Sequence, residues 1–363
     1  MDESTRSKLA EAWPDADLEA APSCPVCDEP AREPWLDGLT DLIFHAAPGR
    51  WTLWRCRSCS AARLDPRPTP ASIGRAYSRY YTHEANGEGP ARHFIVPGDR
   101  PDLRLKRALH LSFYNHAHGH QLPGALPMGW LAVAASRWRS VRAGHYIRHL
   151  PGPRREGARL LDVGCGDGGF LRVAQSMGYR AQGIEFDAAA AAPARRAGFD
   201  VRIGAIEDAH FEPASFDQVV LSHVIEHLHD PLLVLRRMLG WMRPGARLWL
   251  QTPNIDSRGA QRYGVHWRGL EPPRHLVMFN ERSLRLACER AGLVGMALLP
   301  PQLDAQFFIG QSEAMQRGED PYAIGATRRR AARRLGRQWD RDAMANPLLA
   351  ESLTMVAFKP AAA

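Results

Sequence analysis

Four of the six cysteines fall into two pairs, Cys24-Pro-Val-Cys27 and Cys56-Arg-Ser-Cys59. Each C-x-x-C turn sets two thiolates on one side of a tight knuckle, and two such knuckles supply the four sulfurs of a closed tetrahedral zinc site. Four thiolates leave no position for a reactive water, so the Zn2+ expected on Cys24, Cys27, Cys56 and Cys59 is structural. The 28 residues between the pairs exceed the usual ribbon spacing and point to an insertion carrying Trp35 to Trp51. A redox pair is the alternative, and the doubled motif argues against it. Cys165 and Cys288 read as small buried residues.

A second stretch able to do chemistry is Arg159 to Leu171, RLLDVGCGDGGFL. An apolar run meets Asp162, and Gly164, Gly166, Gly168 and Gly169 follow before a helical pattern begins at Phe170. Glycines there let the backbone take positive φ and approach a ligand, while the N–H groups opening the helix face it. The G-x-G-x-G spacing departs from the G-x-G-x-x-G of dinucleotide folds, and no Lys-Ser or Lys-Thr follows as a P-loop requires. About 20 residues further on, the stretch QGIEFD presents Glu185, placed to accept hydrogen bonds from both hydroxyls of a ribose, with Asp187 the weaker neighbour.

A third cluster is HVIEHLHDP, in which His223, Glu226 and His227 follow an apolar run, together with Arg274 and His275 in EPPRHL. His275 could serve as a base, and Arg274 could pair with a phosphate or carboxylate of a substrate. The alternatives stay open: Glu226 and His227 hold the loop or part of a bound cofactor without touching a proton, and Trp267 and His275 brace a lid.

These groups need a scaffold. From Arg159 onward strands alternate with helices as a parallel α/β sheet requires, with strands over 160–163, 180–185, 200–203, 216–222 and 247–251. Helices are expected over 232–242 and 281–291, a turn at Pro244-Gly245, and last strands over 293–299 and 352–359. Upstream, helices are expected over 103–114 and 130–150, with a polar loop over 87–101. Tyr77, Tyr80 and Tyr81 read as packing residues of a short amphipathic helix. His110, His116, His118 and His120 read as polar-loop residues without ligand geometry. The apolar run Leu122 to Ala135, with Arg137, Arg139 and Arg142 behind it, reads either as a membrane-interface segment or as a buried connecting helix. The resulting division is 20–70, a zinc ribbon; 71–156, a helical linker or insertion; and 157–363, the sheet domain.

The glycine turn resembles motif I of the class I S-adenosylmethionine-dependent methyltransferases, and HVIEHLHDP resembles their motif IV. The opening from CPVC through CRSCSAARLDPRP to Tyr80-Tyr81, with TPN and W-x-G-L-x-P-P-R-H-L later, is similar to methyltransferases that carry an N-terminal zinc ribbon and are associated with bacterial surface-glycan biosynthesis. The resemblance implies a Rossmann-like seven-stranded sheet. It also implies S-adenosylmethionine held by Asp162, Gly164, Cys165, Gly166, Gly168, Glu185, Phe186, Asp187, Ile206, Glu207, Ser222 and His223. Ala205 stands where an adenine-contacting acid is commonest, which shifts that role to Glu207 and the Ile206 backbone. His223, Glu226, His227 and His275 become the catalytic candidates, and the acceptor a small molecule or glycan methylated at a hydroxyl oxygen. An RNA methyltransferase and a non-catalytic cofactor-binding protein are the alternatives. The absence of N-P-P-Y, D-P-P-Y and a catalytic Cys-Pro pair, Cys24-Pro25 belonging to the first cysteine knuckle, argues against RNA.

Composition adds bounds. The 363 residues are 45% hydrophobic, enough for a sizeable core, and carry a net charge of +8. Nearly all the positive charge is arginine, and it favours acidic partners without specifying fold. The arginines of TRRRAARRLGRQWDRD read mostly as a solvated face, with nucleic acid or anionic lipid as the other reading. No apolar run reaches about 18 residues, and the acidic N-terminus lacks the apolar centre of a signal peptide. A cytoplasmic protein is expected, with peripheral contact at the inner membrane surface if the 122–135 run meets lipid.

Overall fold

The computed structural model describes residues 9, 11–77, 94 and 98–361. The expectations on Tyr80, Tyr81 and most of the 84–101 stretch fall outside them. The chain forms two compact units: Met1–Tyr81, Ser222–Leu239 and Leu250–Ala357 make the first, and Thr82–Leu221, Gly240–Trp249 and Phe358–Ala363 the second.

The strands in chain order are β1 (Leu18–Glu19), β2 (Arg32–Leu39), β3 (Trp51–Cys56), β4 (Ala62–Leu64), β5 (Arg67–Pro68), β6 (Arg159–Val163), β7 (Arg180–Glu185), β8 (Asp200–Ile203), β9 (Phe216–Ser222), β10 (Met242–Pro253), β11 (Val277–Met278), β12 (Val294–Leu298) and β13 (Ser352–Phe358). The main sheet has the order β12-β13-β10-β9-β6-β7-β8.

In the second unit β6 pairs in parallel with β7 and β9, and β7 in parallel with β8. Leu160, Leu161 and Val163 are buried on both faces of the sheet, which is why so short an apolar run, interrupted by the buried Asp162, suffices for β6. The register sets Val163 beside Ile184, so the turn leaving β6 and the carboxylate ending β7 emerge at the same edge. The helices Gly169–Ser176 and Ala188–Arg196 follow these two strands.

Upstream, a helix spans Pro101–His118, with Pro101 in its first turn and Gly119 closing it at φ 71°. His110, His116 and His118 therefore lie on a helix, and the polar-loop reading of these residues is corrected. His116 stacks on Trp130 at 3.7 Å, and His120 is buried with Nε2 2.9 Å from the Leu150 carbonyl. The single helix expected over 130–150 is two, Trp130–Ala134 and Arg137–Tyr146. Ser136 leaves helical backbone between them and caps the second by accepting from the Arg139 N–H. The run Leu122 to Ala135 is not a buried connecting helix: Val133 is buried, but Met128 is 69% and Leu131 44% exposed. Among the described residues no helix is long and apolar enough to cross a membrane.

The turn expected at Pro244-Gly245 is also corrected. Both residues lie inside β10, where Gly245 at φ 74° kinks the strand and its N–H donates to the Lys359 carbonyl.

In the first unit a four-stranded sheet has the order β11-β4-β3-β2. The long gap between the cysteine pairs is the antiparallel hairpin β2–β3, with register irregularities at Pro34/Leu36 and Leu36/Leu39. β4 pairs with β11 through Arg63 opposite Val277, so the strand that follows His275 completes the cysteine-bearing sheet. The helix Glu281–Ala291 starts with a reciprocal cap between Asn280 and Ser283 and ends at Gly292 with φ 97°. The arginine-rich stretch lies in the helix Ala326–Ala345, with Arg329, Arg330, Arg333, Arg334 and Arg337 exposed.

Candidate active site and metal centre

The glycine turn sits in the second unit. Gly164, Gly166 and Gly168 have φ of 70°, 50° and 79°, the left-handed region where a side chain costs energy. At Gly168 space also matters, since a Cβ there would lie 2.6 Å from the Cβ of Ala194. Over Gly166 a Cβ would meet nothing within 4 Å, so this part of the turn is open. Glu185 faces the turn: its Oε2 accepts from the Gly166 N–H at 2.9 Å and its Oε1 from the Asp187 N–H at 3.1 Å.

The other acids of this region differ in role. Asp187 is committed to the helix Ala188–Arg196, whose Ala189 N–H donates to its side chain at 2.7 Å. Asp162 is buried, with Oδ1 2.7 Å from Arg148 Nη1 and Oδ2 without a hydrogen-bond partner. Burial pushes its carboxyl up to about 6, with Arg148 opposing and Glu185 adding to the rise. The Cys165 side chain turns into a core of Leu171, Ala191, Ala194 and Val201, so only its backbone faces the turn. Phe186 is 58% exposed, Ile206 is buried, and Glu207 is half-buried on the turn Ile206–Asp208. Arg148 is a residue that motif reasoning missed; besides Asp162 it covers the Phe170 ring at 4.0 Å.

These residues fit an adenosyl cofactor. The open face at Gly166, the pinned Glu185 carboxylate and the orphaned buried oxygen of Asp162 are the features a bound nucleoside would complete.

In the first unit the Sγ atoms of Cys24, Cys27, Cys56 and Cys59 all lie within 4.8 Å of one another, with Cys24–Cys59 and Cys27–Cys56 at 3.5 Å. Four sulfurs about 2.3 Å from a tetrahedral zinc stand about 3.8 Å apart, so the cluster fits the ion with small adjustment. The two knuckles match. After each C-x-x-C a residue takes positive φ, Asp28 at 62° and Ser60 at 65°, and its N–H donates to the carbonyl of the first cysteine. The fully buried side chain of Arg63 braces the first knuckle through the carbonyls of Ala21 and Pro22 at 2.8 and 2.6 Å.

The same unit holds the histidine cluster. His223, next after Ser222 at the end of β9, has φ 54°, an unusual conformation for a residue with a side chain. Its Nδ1 is 3.3 Å from Glu226 Oε1, and Thr252 Oγ1 donates to Glu226 Oε2 at 2.9 Å. His227 Nδ1 lies 3.1 Å from the Arg274 carbonyl and 2.9 Å from the Tyr77 hydroxyl. His275 Nδ1 lies 2.8 Å from the Gly269 carbonyl, and its ring is edge-on to His227 at 4.7 Å. The Glu226 carbonyl accepts from the Leu276 N–H at 2.8 Å, which ties HVIEH to PPRHL. The structure thus gathers three of the four catalytic candidates, Glu226, His227 and His275, with His223 bonded to Glu226. Burial pushes the Glu226 carboxyl up, but the imidazoles of His223, His227 and His275 outweigh it and hold it below the usual range. Burial lowers His275 to about 4, with Glu271 opposing.

Arg274 is not available to a substrate, which corrects the expectation that it pairs with one. It is fully buried, with Nη2 2.5 Å from Asp41 Oδ1 and Nη1 2.8 Å from the Ala76 carbonyl. Glu271, ion-paired with Arg268, lies beside it. Tyr77, Thr252, Asp41 and Glu271 were not singled out as site residues from the sequence: Thr252 and Glu271 stand in TPN and EPPRHL without a role their spacing assigns, and Tyr77 and Asp41 come from distant segments.

Trp267 is fixed by its Nε1 donating to Glu351 Oε2 at 2.8 Å, and Glu351 Oε1 accepts from the Gly259 N–H at 2.9 Å. Burial pushes the Glu351 carboxyl up to about 7, and these hydrogen bonds oppose the rise only in part. A raised carboxyl stabilises the fold fully below its unfolded value near 4.5 and loses that contribution as pH rises through about 7. Calorimetric melting should therefore show Glu351→Gln gaining relative to the unsubstituted chain between pH 5 and 8, by up to about 3 kcal/mol. Parallel pH profiles for the two would contradict this.

Residues 135–298 match the family model of a methyltransferase domain, and that span contains the glycine turn, Glu185 and the HVIEH and PPRHL segments. The chain is 31% identical over 140 residues to the ubiquinone biosynthesis O-methyltransferase of Xanthomonas campestris pv. campestris (strain B100), a match covering 34% of this chain and 59% of that protein. The corresponding protein of Xanthomonas euvesicatoria pv. vesicatoria is 30% identical over 140 residues, with the same coverage. The chain thus spans 59% of the length of these curated relatives. Among solved structures, an S-adenosylmethionine dependent methyltransferase from Mesorhizobium loti aligns with a TM-score of 0.40 at 19% identity, covering 61% of this chain and 96% of that one. The enzyme class these comparisons support is the S-adenosylmethionine-dependent methyltransferases.

Proposed function

We propose that this protein transfers a methyl group from S-adenosylmethionine to a hydroxyl oxygen of a small-molecule or glycan acceptor. The observation that carries the reading is the glycine turn with the Glu185 carboxylate pinned across it, inside the span that matches a methyltransferase domain. Glu185 would hold the ribose, the backbone of Gly164 to Gly168 the face of the nucleoside, and Glu207 with the Ile206 backbone the adenine. Ser222 and His223, at the end of β9, would meet the methionine part. The bound cofactor supplies a methyl group already activated by a positive sulfur, so the protein's task is to align an acceptor and take its proton.

The residues for that task are His275, His227 and Glu226. The Gly269 carbonyl can only accept a hydrogen bond, so Nδ1 of His275 carries its proton and Nε2, 3.8 Å from Glu271 Oε2, carries the lone pair. Glu226 would stabilise the imidazolium formed when that lone pair takes the hydroxyl proton. The relatives' names describe O-methylation, which accords with a hydroxyl acceptor. The ribbon, at 20–70, is proposed as a structural Zn2+ module on its four cysteines, ahead of the 71–156 insertion and the 157–363 sheet domain.

The test is S-adenosylhomocysteine formation with pooled hydroxyl-bearing sugars and sugar nucleotides, RNA being the comparison acceptor. Turnover with the sugar pool is expected. His275→Gln should lower kcat by about 10²–10⁴ while leaving S-adenosylmethionine affinity unchanged. Turnover with RNA alone, or an unaffected kcat in the variant, would overturn the reading.

A further inference from the structure

Between Asp102 and Glu156 the sequence holds nine lysines and arginines and no acidic residue, so this one span carries more positive charge than the net +8 of the whole chain. Three of the nine are neutralised from outside the span, Arg107 by Asp99, Arg148 by Asp162 and Arg155 by Asp217. Arg104, Lys106, Arg139 and Arg142 are exposed and meet no carboxylate among the described residues. The same span leaves large apolar side chains in solvent: Leu105 is 54% and Leu126 36% exposed, beside Met128 and Leu131. We propose that this face of the second unit docks on an anionic phospholipid membrane, with the apolar side chains in the interface and the cations on the lipid phosphates.

The apolar residues are held out in place. Asn115, on the helix Pro101–His118, satisfies both backbone groups of Leu122, donating to its carbonyl at 3.1 Å and accepting from its N–H at 2.8 Å. Further on, the Trp130 N–H donates to Ser112 Oγ at 2.8 Å and the Trp130 ring stacks on His116. The segment between is thus anchored to the helix at both ends. Leu105 joins the patch from the helix itself: it stands one turn before Leu109, whose Cδ2 would lie 3.1 Å from a Cβ on Gly129. Met128 sits at φ 55°, a costly conformation for a residue with a side chain, and that side chain points to solvent. The cations border these groups. Arg104 and Lys106 bracket Leu105 in the sequence, and Arg139 Nη1 reaches back to the Ala132 carbonyl at 3.4 Å, next to Leu131. Arg142 follows one turn later on the helix Arg137–Tyr146. At a lipid interface the apolar groups leave water while guanidiniums meet phosphate oxygens, so both halves of the patch are satisfied at once. Nucleic acid would answer the charge but leave the leucines and Met128 in water, and a second copy would set like charges against one another.

Cosedimentation of the full chain with vesicles tests this. Binding is expected to vesicles of phosphatidylglycerol and phosphatidylcholine in equal parts and not to phosphatidylcholine alone, and it should fall as salt rises. Arg104→Gln, Arg139→Gln and Arg142→Gln combined should weaken the partition by about 100-fold, a factor of about five for each charge. Met128→Ser with Leu131→Ser should weaken it by about tenfold or more at unchanged salt dependence, which an ionic contact alone would not show. All five positions are exposed, so the variants should keep the melting temperature of the unsubstituted chain. Arg330→Gln with Arg334→Gln, on the exposed face of the helix Ala326–Ala345, should bind vesicles as the unsubstituted chain does. A chain that leaves both kinds of vesicle unbound, a silent Met128 and Leu131 pair, or an equal loss in the Arg330 and Arg334 variant would overturn the proposal. Binding to polyuridylate in place of vesicles would assign the cations to nucleic acid and overturn it as well.

Discussion

Glu185→Ala is expected to weaken S-adenosylmethionine binding by about 10- to 100-fold, read by equilibrium dialysis with labelled cofactor. The carboxylate ends β7 and reaches across to the glycine turn, where it accepts from the Gly166 N–H. Each charge-assisted hydrogen bond lost to a ribose hydroxyl is worth about 1.5–3 kcal/mol, which is roughly tenfold or more in affinity. Glu185→Gln keeps an acceptor for Gly166 and should fall between the two. Because Asp187 is occupied as a helix cap, Asp187→Asn should be nearly silent in the same assay. An alanine variant binding within twofold of the unsubstituted chain would remove the ribose assignment.

Cys56→Ser is expected to abolish zinc retention and lower the melting temperature by on the order of 10 °C or more, since metal binding at a four-thiolate site is coupled to folding. The reason is positional. Cys56 ends β3, Cys59 precedes β4, and β4 in turn pairs with β11, the strand that follows His275. Loosening the knuckles should therefore disturb the histidine cluster of the same unit. Cys288→Ser, at a buried helical position remote in sequence from either pair, should keep its zinc whatever it costs in packing. Elemental analysis beside calorimetry reads both; a metal-free Cys56→Ser chain with unchanged melting would show that the cluster does not hold the fold together.

Much of the scaffold was legible because its signals are local. The strands over 180–185, 200–203 and 216–222 and the helix over 281–291 lie where the sequence places them, since apolar runs, glycines and caps act over a few residues. The cysteine pairs and the turn at Gly164 to Gly168 were legible for the same reason. What failed depends on distant partners. Arg274 looks like a substrate cation until Asp41, 233 residues away, is found against it. Cys165 stands in the cofactor motif, yet its side chain belongs to a core built by the helices Gly169–Ser176 and Ala188–Arg196 and by β8. His120 stands in a polar run, yet it is buried with its ring against the Leu150 carbonyl, 30 residues on. Pro244-Gly245 carries a turn signal that the sheet absorbs as a kink, because strand pairing on either side outweighs the local preference.

The central claim is that the turn opening at Gly164 is a methyl-donor site. It is tested most directly by calorimetric titration of the full chain with S-adenosylmethionine, followed by competition with S-adenosylhomocysteine. The account predicts one cofactor bound per chain and full displacement by the product; no heat of binding from a folded, zinc-loaded chain would contradict it.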